Sequence, residues 1–334
     1  MEPPSATGPE PTAAMIPIST HSLWTALSGP NPPLSASDER SPKCPLVVIV
    51  PGAGDVASSY VALGRLLRPS TRVLLYDRSG LGRSERDPTS ETPRPNAVRA
   101  AKELYTLLTA LRQPGPYILV AHSYGGIVAR EFLHLHSNDV AGLVLVDCAT
   151  EQSSELLTFP DPNIVAVMGS LNYARVTGLR QDTVLTDEEW RVRARDIYAG
   201  HETAALEAGS FVEVCETLRA KEQLKHQVLG DRPLVVIRAN GVRDYERIYE
   251  AGVAAGNGTA EQQGAFRELL DRWEGIDKEV QEGQLGLSCV KRLVRLEDCG
   301  HNVHLVRPDI VAQEVRWVLE RVKANEDLIG DGDF

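Results

Sequence analysis

The stretch YILVAHSYGGIVARE, residues 117–131, carries the reading of the fold. Residues 116–122 form an apolar run that reads as a buried strand. From Tyr124 to about His136, the apolar residues Ile127, Val128, Phe132 and Leu133 fall at helical spacing. Ser123 stands between the two, with small residues, Ala121 and Gly125, two places away on either side. A sharp strand-to-helix turn brings those two positions together, so a large side chain at either would clash. The same turn lifts the serine hydroxyl to the end of the sheet, where open α/β sheets bind ligands. Capping the helix is the plain alternative for Ser123, and other parts of the chain must decide between the two.

Similar runs recur on both sides. PLVVIVPG (45–52), TRVLLYD (71–77), AGLVLVD (141–147), DRPLVVIRA (231–239) and VKRLVRLEDC (290–299) read as strands. Helical spacing marks 58–69, 94–115 and 307–322. Strands that are apolar along their length and alternate with helices imply a parallel sheet covered on both faces. The fold class is therefore α/β, with a mostly parallel, doubly wound sheet. The rhythm breaks between Glu151 and about Gly230, where the chain is helical and polar. There Thr186 with Glu189 forms a capping box at the start of a helix over 185–200. A second, shorter insertion at roughly 245–285 contains AGVAAGNGTAEQQG. The expected division is a disordered, Pro-rich leader (1–15), a core (16–149 and 231–324), a helical insertion (150–230) and a loose tail (325–334).

Composition excludes several classes. The chain has 334 residues, 42% of them hydrophobic, and a net charge of −11 spread along its length. That balance argues against nucleic acid and against an anionic membrane surface as partners. No run approaches the ~18 apolar residues of a spanning helix, and the N-terminus lacks a basic start and an apolar centre. A cytoplasmic location is the expectation. The five cysteines share no CxxC spacing and read as reduced thiols. His134 and His136 lie two apart on a helix and diverge, so no metal site is expected.

A serine nucleophile needs a base and an orienting acid. DCGHNVHLVRP offers His301, directly after Gly300 on leaving the last strand, and His304, nearer apolar neighbours. With these residues the chain resembles the α/β-hydrolase superfamily. The resemblance rests on VVIVPGAG (47–54), YDRSGLGRS (76–84), AHSYGG (121–126), GLVLVD (142–147) and CGHNVHLVRPDIV (299–311), which come in the family's order. It implies an α/β-hydrolase fold in which the helical insertion is a lid. It implies Ser123 as nucleophile, His301 as base, and an oxyanion hole from the backbone N–H groups of Tyr124 and Ala53. Where the family often has His-Gly, this chain has Pro51-Gly52. Proline has no N–H, but the donor belongs to the residue after the glycine. Gly52, Gly54 and His304 are expected to border the substrate. DRSGLGRS (77–84) resembles the family's glycine-rich turn and is not a dinucleotide motif, so no cofactor is expected.

The acid has two possible places in the family. Asp147 ends the strand after the nucleophile helix, and Asp244 follows the strand at 233–239 a little late. Asp147 is favoured, with Asp244 as the alternative. Leu156, Leu157, Phe159, Ile164, Val165, Val167, Met168, Leu171, Tyr173 and Phe211 are candidates for the pocket lining, while Glu207 and Glu213 read as solvated. The expected activity is hydrolysis of a small-molecule ester, lactone or thioester through an acyl-enzyme. The resemblance extends to fungal-type hydrolases, some of which serve polyketide and other secondary metabolism. Two alternatives keep the fold: a cyclase, lyase or acyltransferase, and a small-ligand receptor.

Overall fold

The computed structural model describes residues 10–30, 44–89 and 96–330. Eight strands form one sheet: β1 (Thr12–Pro17), β2 (Ser22–Ser28), β3 (Leu46–Val50), β4 (Arg72–Tyr76), β5 (Tyr117–His122), β6 (Val140–Val146), β7 (Leu234–Ala239) and β8 (Lys291–Leu296). Their order is β1-β2-β4-β3-β5-β6-β7-β8. The β1–β2 and β2–β4 pairings are antiparallel and the others parallel.

The apolar strands follow from two-sided burial. In β3 all five residues are buried; Leu46, Val48 and Val50 enter one core cluster, Val47 and Ile49 the other. Side chains alternate across a strand, so a strand covered on both faces must be apolar throughout. Each fully buried Val or Leu contributes about 1.5–3 kcal/mol. α1 (Val61–Leu67) lies on the second cluster's face, α2 (Ala97–Ala110) and α3 (Gly125–Leu135) on the first.

The first insertion carries α4 (Ser153–Leu156), α5 (Pro162–Met168), α6 (Tyr173–Val176), α7 (Leu179–Asp182), α8 (Asp187–Ala199), α9 (His201–Gly209) and α10 (Phe211–Arg219). The Thr186–Glu189 capping box opens α8 as expected. After β7 come α11 (Gly241–Ala254) and α12 (Ala260–Gly283), and after β8 come α13 (Val303–Val306) and α14 (Pro308–Gly330). Val311, Val315, Val318 and Val322 of α14 fall at helical spacing and join the second cluster.

Three boundaries differ from expectation. Residues 12–15 belong to β1, so a leader reaching residue 15 is too long; residues 1–9 lie outside the described ones. β1 is an edge strand with no buried residue, which is why its pattern is weak. The tail continues α14 to Gly330, and residues 331–334 lie outside the described ones. The second insertion joins the roof: Ile248, Phe266 and Leu270 pack with Val167 of α5. Among the described residues no helix is long and apolar enough to cross a membrane.

Candidate active site

β5 passes into α3 through Ser123, whose φ is +53°. A non-glycine residue seldom adopts that region. Gly125 permits it: a Cβ there would stand 2.2 Å from the carbonyl oxygen of Val50. The small residue demanded by the sequence thus lets α3 touch the end of β3. Ser123 opens on a cavity of about 250 Å³. Among the described residues six non-glycine residues have positive φ; Ser123 is one and Asp147 (φ +47°), at the end of β6, is a second. Such strain concentrates where the surrounding fold holds a residue for its chemistry.

Asp147, Ser123 and His301 all line this cavity. His301 Nδ1 and Asp147 Oδ2 are 2.6 Å apart, and Asp147 Oδ1 accepts from the Ala239 N–H at 3.0 Å. Because Nδ1 carries the hydrogen toward the carboxylate, Nε2 is the nitrogen free to act as a base. No hydrogen bond joins Ser123 to His301 in this conformation. Burial alone would lower the His301 pKa. The hydrogen bond and charge of Asp147, then the charges of Asp244 and Asp277, outweigh it and raise it.

Asp244 holds the same loop by a different atom. Its Oδ2 accepts from the backbone N–H of His301 at 3.2 Å and from the Tyr173 hydroxyl at 3.4 Å. A Cβ on Gly300 would fall 2.1 Å from that oxygen, so Gly300 gives the carboxylate its access. Of the two expected acids, only Asp147 meets the imidazole; Asp244 meets the backbone.

The loop after β3 is pinned on both sides of Ala53. The Gly52 N–H donates to the Tyr60 hydroxyl at 3.2 Å, and the Gly54 N–H to Glu207 Oε2 at 2.7 Å. Arg78 donates to the carbonyls of Pro51 and Gly52, each at 2.6 Å. That leaves the Ala53 and Tyr124 N–H groups without an acceptor among the described residues, and both residues line the cavity with Ser123. Gly52 and Gly54 do not line it; they shape the turn that presents Ala53. The Tyr124 ring packs under Arg78, 5.5 Å from the guanidinium carbon.

Glu207 is not solvated. It sits 2% exposed on α9 and holds Arg78 through two bonds of 2.8 Å. Burial opposes the Arg78 charge, but Glu207 outweighs it and raises the Arg78 pKa. A helix of the first insertion is thereby latched to the loop carrying Ala53. The signal was faint: one acid inside TAALEAGSF. Glu213 is exposed as expected.

His304 does not border the cavity. It is 1% exposed, stacks on Tyr60 with ring centres 4.3 Å apart, and lies 3.3 Å from Asp55. Hydrophobic neighbours in α13 carry it into the core. Beside it runs a chain the sequence reading missed. The Tyr60 hydroxyl lies 3.3 Å from His122 Nδ1, and His122 Nε2 lies 3.0 Å from the carbonyl of His301. A carbonyl only accepts, so Nε2 bears the hydrogen, and Nδ1 accepts from Tyr60. Burial, then the neighbouring imidazoles, push the His122 pKa well below its ordinary value, consistent with this neutral form. Asp55, His122 and His304 are also close enough to share a cation, with ligand atoms within 4.8 Å. Both nitrogens of His122 are already committed to this chain.

Both insertions wall the cavity. Leu157, Phe159, Ile164, Val165 and Phe211 line it from the first, as expected; Val167, Met168 and Tyr173 pack among the helices instead. Leu156 and Leu171 do not line it. Tyr245, Trp273 and Asp277 line it from the second insertion, where no pocket residue was expected.

The sequence model of the alpha/beta hydrolase family matches residues 47–314. A protein of Hormonema carpetanum described as a probable transporter is 31% identical over 94% of this chain. The chain spans 44% of that relative's length. An AB hydrolase superfamily protein of Gibberella zeae is 29% identical, covering 85% of this chain and 88% of its own. Among solved structures, a candidate epoxide hydrolase of Pseudomonas aeruginosa superposes with a TM-score of 0.63 over 95% of this chain and 98% of its own, at 13% identity. At that identity the likeness concerns the fold alone.

Proposed function

The chain belongs to the alpha/beta hydrolase family, and from that premise we propose a serine hydrolase acting on a small-molecule ester, lactone or thioester. The observation that supports this most is the convergence on one cavity. Ser123 stands at a left-handed elbow, beside two uncommitted backbone N–H groups and opposite a His301–Asp147 pair. In this reading His301 Nε2 takes the Ser123 proton as Oγ attacks the acyl carbonyl. The Ala53 and Tyr124 N–H groups hold the developing oxyanion, where one such donor is worth about 3 kcal/mol. His301 then protonates the leaving alcohol, thiol or ring oxygen. Water, deprotonated by His301, releases the acid and restores Ser123. Asp147 keeps Nδ1 protonated and stabilises the imidazolium.

A carboxylate nucleophile, as alkyl-enzyme chemistry needs, is not what this elbow presents. The uncommitted N–H pair favours acyl chemistry over a ligand-binding role, since a receptor needs no oxyanion site. Treatment with a fluorophosphonate tests the reading. The wild type acquires one adduct on Ser123 by intact mass and peptide mapping, and Ser123→Ala acquires none. Equal labelling of both proteins would exclude Ser123 as the nucleophile.

A further inference from the structure

The cavity wall is chemically uneven. Four carboxylates line it, those of Asp147, Asp161, Glu207 and Asp277, and no lysine or arginine does. Two are committed by both oxygens. Asp147 holds His301 and the Ala239 N–H, and Glu207 holds Arg78 and the Gly54 N–H; Asp161 caps α5 by Oδ1 alone, which accepts from the N–H groups of Asn163 and Ile164. Asp277 is committed by one oxygen only: Oδ2 accepts from Arg238 Nε at 2.6 Å, and Oδ1 has no hydrogen-bond partner among the described residues. One helical turn earlier on α12 stands Trp273, 9% exposed and also on the cavity wall. Its indole N–H meets no acceptor among the described residues. Positions four apart share a helix face. A buried indole N–H ordinarily finds a partner.

The α12 face of the cavity therefore presents a free acceptor and a free donor one helical turn apart, in a cavity also lined by the apolar Leu157, Phe159 and Phe211. We propose that Trp273 and Asp277 are the specificity-determining pair of this pocket and recognise a hydroxyl on an otherwise apolar acyl substrate. A hydroxyl satisfies both groups at once: it donates to Asp277 Oδ1 and accepts from Trp273 Nε1. An ammonium cannot accept from the indole. A carboxylate or phosphate cannot donate to Asp277 and meets four acids with no basic residue on the wall. Burial and then the Asp147 charge push the Asp277 carboxyl up to about 6, so at pH 8 it is the ionised acceptor this role requires. A plain alkyl chain would leave both groups desolvated and unpaired, the situation that gives polar pockets their selectivity.

The inference rests on the serine-hydrolase reading only in calling the ligand an acyl substrate, and its test has an arm that needs no turnover. Calorimetry at pH 8 measures Kd for straight-chain alkanamides of six to twelve carbons, with a terminal methyl, hydroxyl or carboxylate. Walking the chain length walks the terminal group along the cavity. In parallel, kcat/KM is measured for the matching p-nitrophenyl esters. The expected result is a chain length at which the hydroxyl compound is favoured about tenfold or more over the methyl compound, with the carboxylate weakest. Trp273→Phe and Asp277→Leu each bring that ratio to about one. Reading the ratio within each protein cancels any general loss, and Trp273→Phe keeps the aromatic packing should Asp277→Leu fail to fold. A hydroxyl preference in Kd without ester turnover would overturn the hydrolase reading and leave this inference standing. A ratio near one at every length in the wild type, or a preference unchanged in Trp273→Phe, would overturn the inference.

Discussion

At the scale of single residues, the two carboxylates around His301 are separated by the atom they hold. Asp147 takes Nδ1 at 2.6 Å, while Asp244 takes the backbone N–H at 3.2 Å. Asp147→Asn presents an amide where the imidazole needs an acceptor, which favours the wrong tautomer. A loss of about 10⁴ in kcat is expected from the equivalent change in other triads. Asp244→Asn keeps an acceptor for the backbone N–H and should lose about tenfold or less. Steady-state kinetics on a p-nitrophenyl ester decide; similar losses in the two variants would remove the distinction. The pH profile gives a second measure. His301 must be neutral to take the serine proton, and its pKa is raised above 6.5: burial lowers it, but Asp147 outweighs burial. The acid limb of kcat/KM therefore lies above pH 6.5, with activity lost as the pH falls through it. In Asp147→Asn the largest raising contributions vanish, so the limb moves to lower pH as the plateau drops. A limb that stays in place would mean that Asp147 does not set the His301 charge.

At the scale of elements, the catalytic loops are fastened to their neighbours by buried polar contacts rather than by apolar packing. α9 reaches the loop after β3 through Glu207, which holds both Arg78 and the Gly54 N–H. Both partners are buried, with side chains 3% exposed. Removing the acid strands a buried guanidinium, a change that typically costs about 3–5 kcal/mol. Glu207→Gln is accordingly expected to lower unfolding free energy by about 3 kcal/mol in urea melts. It also frees Pro51–Gly54 to shift, so kcat should fall more than KM rises, because in the proposed mechanism Ala53 donates to the oxyanion mainly in the transition state. A variant with wild-type kcat and lowered stability would confine Glu207 to a structural role. Gly125 sets the other limit. A Cβ 2.2 Å from the Val50 carbonyl oxygen cannot be accommodated without moving α3 or β3. Gly125→Ala should therefore yield protein that Ser123-directed probes label poorly, or little folded protein at all.

At the scale of the whole molecule, what the sequence revealed and what it hid divide by range. The strands were legible because burial on both faces leaves an uninterrupted apolar run, as in β3 and β5. Ser123 was legible because it follows the end of β5 with small residues two places away on either side, and His301 because it follows Gly300 in the loop after β8. The Glu207–Arg78 latch was not, since its partners stand 129 residues apart and neither carries a local pattern. His304 was misplaced because an imidazole stacked on Tyr60 has the same sequence neighbours as one facing a pocket. The expected division left the second insertion within the core segment 231–324, and so missed that the two insertions share one roof. α5 of the first insertion packs on α11 and α12 of the second, around Phe266, which is fully buried. Phe266 does not line the cavity, but its neighbours Ile164 and Leu269 do. A Phe→Ala change in a packed core costs about 3–5 kcal/mol. If the two insertions form one roof, Phe266→Ala should lower stability by that amount and also loosen the pocket wall at a distance. KM for an octanoyl ester should then rise several-fold while that for an acetyl ester changes little, because only the longer chain reaches the roof. Urea melts alongside a chain-length series on p-nitrophenyl esters measure both effects. A fall in stability with an unchanged chain-length profile would mean that the roof's apolar seam and the substrate wall are mechanically separate.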